Sequence, residues 1–480
     1  MSLTDLGAHD LAGLIAARQA SSVEICTAFL DRIEAVNPSL NALVSLRPRA
    51  AVLADAAAAD AEIASTGPCG PLHGLPMAPK DLAATAGLRT TWGSTIHRDH
   101  VPDADGLMAA RLRAAGAIFV GKSNTPEFGL GSHSFNEVFG TTLNPWDRAR
   151  SAGGSSGGAA VALAARMLPV ADGSDMMGSL RNPAAWNGVY GFRPSWGLVP
   201  LDAPGDRFMA TLSTEGPMGR SVRDMALLLD VMAGEAADIP FGRPAQGYAA
   251  ALDQPPEPLR LGWLGDWGGA WAIEDGILPL CEQAFRNMER ELGVTVVPLP
   301  PPMPAEDLWQ SWMTLRAFLN ANGRAALYAN PDMRAQLKPE MIWEIEQGRD
   351  LTTAALHEAS LIRTRWYARL ARLFRDVDLI ALPAAQVWPF DATLRWPDRI
   401  NGRAMDSYHR WMEVAVPPAF AGLPTVAVPV GFGGPGGGPG GGLPMGMQLA
   451  GPVGADARVL RFAHAWNGVE TVSRTMPPLG

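Results

Sequence analysis

Hydrophobic positions recur at helical spacing between Ser21 and Pro38, where Ile25, Phe29, Ile33 and Val36 share one face. Ser21 and Ser22 are cap candidates for that helix, and Asn37-Pro38 is its expected stop. The alanine-rich stretch at 49–64 predicts a second helix. TGPCGPLHGLPMAPKD then breaks helical order, and its short apolar run ends at Lys80, which is expected on a strand edge or loop. LMAARLRAAG at 107–116, followed by AIFVGKSN, reads as a helix, a glycine stop and a buried strand. The same order returns at 158–173 and at 279–297, where Gly293 separates helix from strand. Helices alternating with buried strands predict a mixed α/β architecture.

Composition narrows the class. With 480 residues, 47% hydrophobic and 18% charged, the chain buries a large core, which excludes disorder. Lysine plus arginine is 39 and aspartate plus glutamate is 48, giving a formal charge of −9 with no basic block, so nucleic acid is not an expected partner. Cys26, Cys69 and Cys281 are odd in number and widely spaced, which fits a reducing compartment rather than a disulfide framework or a metal knuckle. The N-terminus lacks a basic region followed by an apolar run, and no stretch of about 20 uncharged apolar residues appears, so neither a secretory signal nor a membrane span is expected. Proline clusters at 255–258 and 298–304 are too short for flexible linkers, and the chain reads as one large domain with inserted segments. GGPGGGPGGG at 433–442 is expected to be a mobile loop, since glycine loses the most entropy on ordering and proline lacks a donor.

Candidate chemistry concentrates at 151–195, where two serine-glycine loops flank one helix and strand. Ser155 lies in the first loop and Ser179 in the second, each where a helix is expected to begin, so backbone N–H groups point at an anion there. Gly154, Ser156 and Gly158 also satisfy the G-x-S-x-G pattern of a nucleophile elbow, which requires a downstream acid and histidine. Of eight histidines only His357, His409 and His464 follow it, and none sits in a distinctive loop. His97 and His100 lack a third metal ligand nearby. A serine hydrolase without histidine needs another base, and a lysine serves if burial lowers its pKa from about 10.4 toward neutrality. Lys80, at the end of an apolar run, is the candidate.

GLPMAPKD, GKSNTPEFG, NPWD, GGSSGG, GSDMMGSLRNPA, GFRPSWGLVP, GPMGRSVRDMALLLDVMAG and AGLPTVAVPVGF with GLPMGMQLAGP together resemble the amidase-signature family of serine hydrolases. The resemblance runs from the N-terminal helix to about residue 466, with only 225–410 weakly marked. It implies a single α/β domain over 1–480, a central mixed β-sheet covered by helices on both faces. Within it the catalytic core spans about 70–225 plus 411–466, and a variable substrate-specificity region spans about 226–410.

By that resemblance Lys80 is the family's catalytic lysine, Ser155 the bridging serine behind a cis peptide bond from Gly154, and Ser179 the nucleophile that carries the acyl group. The spacings 155 − 80 = 75 and 179 − 155 = 24 agree with the family. Backbone N–H groups of Met176, Met177, Gly178 and Ser179 are the implied oxyanion hole. Here the chain departs from the family, with Met177 where a glycine is usual. A left-handed residue there costs about 1–2 kcal/mol when it is not glycine, so strain and a reshaped acyl pocket are the expectations. Asp175 and Arg181 are expected as a supporting ion pair, and Asn124 and Glu127 as anchors of the neighbouring loop. Leu130 and Ser132 are expected to line the acyl side, with Trp388 and Phe390 as another wall.

The implied function is hydrolysis of a linear or aryl carboxamide, with a small-molecule substrate, no cofactor, no metal and no nucleic-acid or membrane partner. A cytoplasmic location and a homodimer are the default expectations. The alternatives are the glutaminase subunit of a tRNA-dependent amidotransferase and a catalytically weak paralogue in which Met177 closes the oxyanion hole.

Overall fold

Capping chemistry opens the first long helix where the sequence puts it. Ser21 Oγ accepts the Glu24 N–H at 3.1 Å and Glu24 Oε2 accepts the Ser21 N–H at 2.8 Å, starting the helix Ser22–Leu40. The helix does not stop at Asn37-Pro38 but runs on to Leu40. A proline in the last turn forfeits one helical N–H bond, and Asn41, at φ 52°, makes the exit instead.

The computed structural model describes residues 2–202, 205–434 and 442–479. At its centre is a mixed sheet of β1 (Val170–Asp175), β2 (Tyr190–Arg193), β3 (Thr214–Gly219), β4 (Arg260–Trp263), β5 (Thr295–Pro298), β6 (Leu379–Pro383), β7 (Thr425–Gly433) and β8 (Leu443–Ala450). The strand order is β5-β4-β6-β8-β7-β2-β3-β1. β4 runs parallel to β5 and β6, and every other neighbouring pair is antiparallel. Helices α1 (Gly157–Ala164) and α2 (Arg181–Asn187) pack on one face, while α3 (Val222–Met232), α4 (Ile277–Leu292) and the helix Asp456–Val469 cover the other. Strands β6 and β8 are accordingly buried along their whole length and read as apolar runs, whereas Thr295 and Pro298 of the edge strand β5 are exposed. A further helical layer, α5 (Ala305–Gly323), α6 (Pro339–Arg349) and α7 (Thr353–Leu373), lies in the weakly marked region.

β7 and β8 pair as far as Gly433 opposite Leu443, at the two ends of the glycine-proline run. Residues 435–441 of that expected loop lie outside the described residues. The run AIFVGKSN does not enter the main sheet. It splits into Ile118–Phe119, parallel to Pro76–Met77, and Lys122–Ser123, antiparallel to Leu43–Val44. These two-residue ribbons carry Lys80 and Asn124 to the free edge formed by β1. Among the described residues no helix is long and apolar enough to cross a membrane, and Cys26, Cys69 and Cys281 are unpaired.

The first turn of α1 is laid against backbone. A Cβ on Gly158 would meet Asn124 N at 2.3 Å and Ala42 O at 2.5 Å, and Gly158 N–H donates to Asn124 O at 3.1 Å. Neither neighbour is a side chain that yields, so Gly158→Ala is expected to lower stability by about 1–3 kcal/mol. A urea midpoint equal to that of the unaltered chain would contradict this packing.

Candidate active site

Lys80 makes a parallel bridge to Ser123, and its N–H donates to Asp172 Oδ2 at 3.1 Å, which fixes its backbone beside β1. Only 2% of the residue is exposed. Its Nζ donates to Ser155 Oγ at 2.8 Å, Ser156 Oγ at 2.9 Å and Ser174 Oγ at 3.0 Å. Burial pulls the Lys80 ammonium down to about 7, against Asp172, Asp175 and Glu215, which pull the other way. An amine that is neutral near pH 7 accepts a proton where an ammonium does not. Ser156, the alternative nucleophile of the elbow pattern, is fully buried and bonded to this lysine, with no histidine among its hydrogen-bond partners. The elbow reading therefore fails.

The peptide bond between Gly154 and Ser155 is cis. A segment that sequence reasoning treated as pocket lining holds this loop. Ser132 Oγ donates to Gly154 O at 2.6 Å, Ser134 N–H donates to Gly153 O at 3.1 Å, and Gly157 N–H donates to Ser134 Oγ at 3.1 Å. His133 Nε2 faces the Ala392 carbonyl at 3.1 Å, so that nitrogen carries the proton. Its Nδ1 then accepts the Ser151 hydroxyl at 2.7 Å, and Ser151 Oγ accepts the Gly153 N–H at 3.1 Å. Burial pulls His133 down to about 4, which keeps it neutral. Ser132 thus supports the loop, its hydroxyl committed to Gly154.

The second loop leaves β1 at Asp175. Burial alone would raise that carboxyl, but the Arg181 and Arg193 guanidiniums hold it well below the usual carboxylate range. Arg181 binds it at 2.9 and 3.0 Å through two nitrogens, and Arg193 reaches the Asp175 carbonyl oxygen. Gly178 N–H, expected in the oxyanion hole, instead donates to Asp175 Oδ1 at 2.8 Å, and Leu180 N–H donates to Oδ2 at 3.1 Å. The carboxylate gathers these donors at the turn. N–H groups of Met176, Met177 and Ser179 are engaged by no protein acceptor among the described residues. Gly178 takes φ 86°, whereas Met177 is not among the non-glycine residues of positive φ. The left-handed position still carries glycine, so the expected strain at Met177 does not arise, and its side chain is buried in the main apolar core. The two serine loops meet where Ser156 N–H donates to Ser179 O at 3.1 Å.

Asn124 anchors its loop, taking Asn136 Nδ2 at 2.8 Å and giving its own Nδ2 to Thr142 Oγ1 at 3.0 Å. Glu127 accepts Ser94 Oγ at 2.8 Å and Lys338 N–H at 2.9 Å. Leu130 packs with Leu337, Met341 and Tyr408, and its carbonyl accepts Lys338 Nζ. Trp388 does not join the site. Its indole donates to Asp275 O at 3.1 Å and its ring lies against Gly433 and Gly434 at the β7 end. Phe390 packs edge-on to Trp186, Trp411 and His133.

Sequence reasoning missed Ser174 as a lysine partner, although it stands in the same run as Ser179. It also missed a charged cluster from the weakly marked region. Arg316 binds Glu344 at 2.6 Å and Tyr408 at 2.9 Å, and its Nη1 lies 3.2 Å from Met176 Sδ. Although burial opposes it, Arg316 holds the Glu344 carboxyl down at about 2. A groove of about 630 Å³ lined by Phe318, Tyr328, Arg334, Ile345 and Arg349 shares no lining residue with the Lys80 site.

Among the described residues, Glu62, Cys69 and His73 bring donor atoms within 4.8 Å of one another. His73 Nδ1 accepts Cys69 N–H at 2.9 Å and Nε2 faces Ala59 O at 3.2 Å, so neither nitrogen offers a free lone pair to an ion. His97 and His100 pack against Trp92, their own ring centres 6.0 Å apart.

The sequence profile of the Amidase family matches residues 24–460. The chain is 35% identical to a subunit of the glutamyl-tRNA(Gln) amidotransferase of Thermus thermophilus, over 98% of this chain and 99% of that protein. It is 33% identical to an acylamidase of Rhodococcus erythropolis, over 97% of this chain and 95% of that protein. Among solved structures it resembles a bacterial aryl acylamidase of the amidase-signature family, with a TM-score of 0.88 at 28% identity over 98% and 99% of the two chains.

The Asp175 cluster is the support of the second loop. Asp175→Asn leaves the buried Arg181 and Arg193 without a counter-charge and is expected to cost about 3–5 kcal/mol in urea unfolding. An unchanged unfolding midpoint would show that the loop is anchored elsewhere.

Proposed function

The chain belongs to the amidase family, and we propose that it cleaves the C–N bond of a linear or aryl carboxamide through an acyl-enzyme on Ser179. The observation that carries the reading is the buried Lys80 Nζ at 2.8 Å from Ser155 Oγ, in a lysine pulled down to about 7. Lys80 takes the Ser155 proton while Ser155 takes that of Ser179, whose Oγ bonds to the amide carbon. The carbonyl oxygen becomes an oxyanion facing the unengaged N–H groups of Met176, Met177 and Ser179. The same relay returns a proton to the departing amine as the C–N bond breaks, and then deprotonates the water that releases the acid. The three unpaired cysteines fit a cytoplasmic location.

The likeness to an amidotransferase component supports a second reading, a glutaminase that works within a complex. The tryptophan-rich layer favours the first, with Trp309 and Trp312 buried in α5 next to Arg316. A panel of anilides, aliphatic amides and glutamine, incubated with the purified chain, separates the two. Anilides or aliphatic amides are expected to turn over; glutamine as the sole substrate would overturn the first reading.

A fluorophosphonate probe tests the relay. Labelling is expected to vanish in Ser179→Ala, to persist in Ser156→Ala, and to rise with pH through a midpoint near 7, since Lys80 must lose its proton first. No labelling at any pH would indicate a dead site.

A further inference from the structure

Lys80 is held from one face of the sheet edge and the nucleophile loop from the other. β1 and β3 pair antiparallel with Ser174 opposite Glu215 and Asp172 opposite Pro217. Directly opposed residues project from the same face, and alternate residues along a strand share it. Asp172, Ser174 and Glu215 therefore lie on one face, and Asp175 with its arginines on the other. Lys80 joins the first face twice, through its Nζ to Ser174 and its N–H to Asp172.

Glu215 is the one acid on this face that no step above uses. Its carboxyl has no hydrogen-bond partner among the described residues, and the charged groups acting on it are Asp172, Lys80, Asp202 and Arg111. Arg111 is tied to the carbonyls of Met232, Gly234 and Glu235, so it acts on Glu215 only through space. The acids acting on Lys80 are Asp172, Asp175 and Glu215. Two of the three are bound in place: Asp172 receives Lys80 N–H, and Asp175 is held ionised by two arginines. Partial burial and the neighbouring Asp172 carboxyl raise the Glu215 carboxyl toward the range in which Lys80 itself titrates. Two interacting groups that titrate together share their protons as a pair.

We propose that Glu215 is a positioning residue that sets the proton affinity of Lys80 from the face of the sheet opposite the nucleophile loop. As a carboxylate it holds the proton on Lys80. As a neutral acid it leaves Lys80 free to act as the base. The proposal rests on the reading of Lys80 as that base.

The test is the pH dependence of fluorophosphonate labelling in the full-length chain. Glu215→Gln matches the neutral acid in size and removes the anion, so the acid limb is expected to move to lower pH by about one unit. Glu215→Asp draws the carboxylate back along a shorter side chain and is expected to give a smaller shift in the same direction. That variant also reads the effect where Gln fails to fold. An acid limb that stays in place in both, or moves equally in both, overturns the role of Glu215. A limb that Lys80→Met abolishes but Gln leaves unmoved overturns Glu215 alone. Absence of any acid limb in the unaltered chain overturns the Lys80 reading together with this one.

Discussion

The removal of one ammonium group from water is the constraint on which this architecture depends. A lysine so deeply buried loses hydration that no single neighbour replaces, and three hydroxyls around Nζ make up part of the loss. Delivering those hydroxyls to one point requires backbone to approach backbone. Gly158 sits where α1 touches the Asn124 chain, and the 132–134 segment bonds Gly153, Gly154 and Gly157. The ribbons at 76–77 and 122–123 have too few residues to be strands of the main sheet, but they are long enough to bring Lys80 alongside β1. The loops, the ribbons and the helix start are thus different solutions to one solvation problem.

β1, as an edge strand, keeps two electrostatic environments apart. On one face Arg181 and Arg193 keep Asp175 ionised, and that anion draws in Gly178 N–H and Leu180 N–H to shape the turn around Ser179. On the other face burial raises Asp172 and Glu215 and lowers Lys80, so each is drawn toward its neutral form. One strand alternating in direction carries both, with Asp175 following Ser174. A single residue of register slip would exchange the two environments.

Lys80, Ser155 and Ser179 stand out in the sequence because glycine-rich loops and a lysine after an apolar run are local signals, and the structure brings Lys80 and Ser155 together. The exit of the first helix was misplaced by three residues, because a proline in a last turn costs less than one inside a helix. Ser132 and Trp388 were read as pocket lining from their place in the chain, yet their partners are Gly154 and the end of β7, contacts set by loop paths that periodicity does not encode. The Arg316, Glu344 and Tyr408 cluster was invisible for a similar reason. Arg316 and Glu344 are 28 residues apart and Glu344 and Tyr408 are 64, and only the packing of α5 on α6 together with the segment before Arg410 joins them.

Met177 shows where a departure from a pattern and a departure from geometry part company. Glycine is demanded where backbone turns left-handed, and in this loop that position is Gly178, at φ 86°. The neighbouring position asks only that its N–H stay free and that its side chain find a place, and Met177 meets both by burying itself in the core. The residue before it is the more exposed to influence, since Met176 Sδ meets a guanidinium fixed by Glu344 and Tyr408. The variable helical layer therefore touches the Ser179 loop through Met176, so that a change in α5 or α6 reaches that loop without altering any serine or lysine.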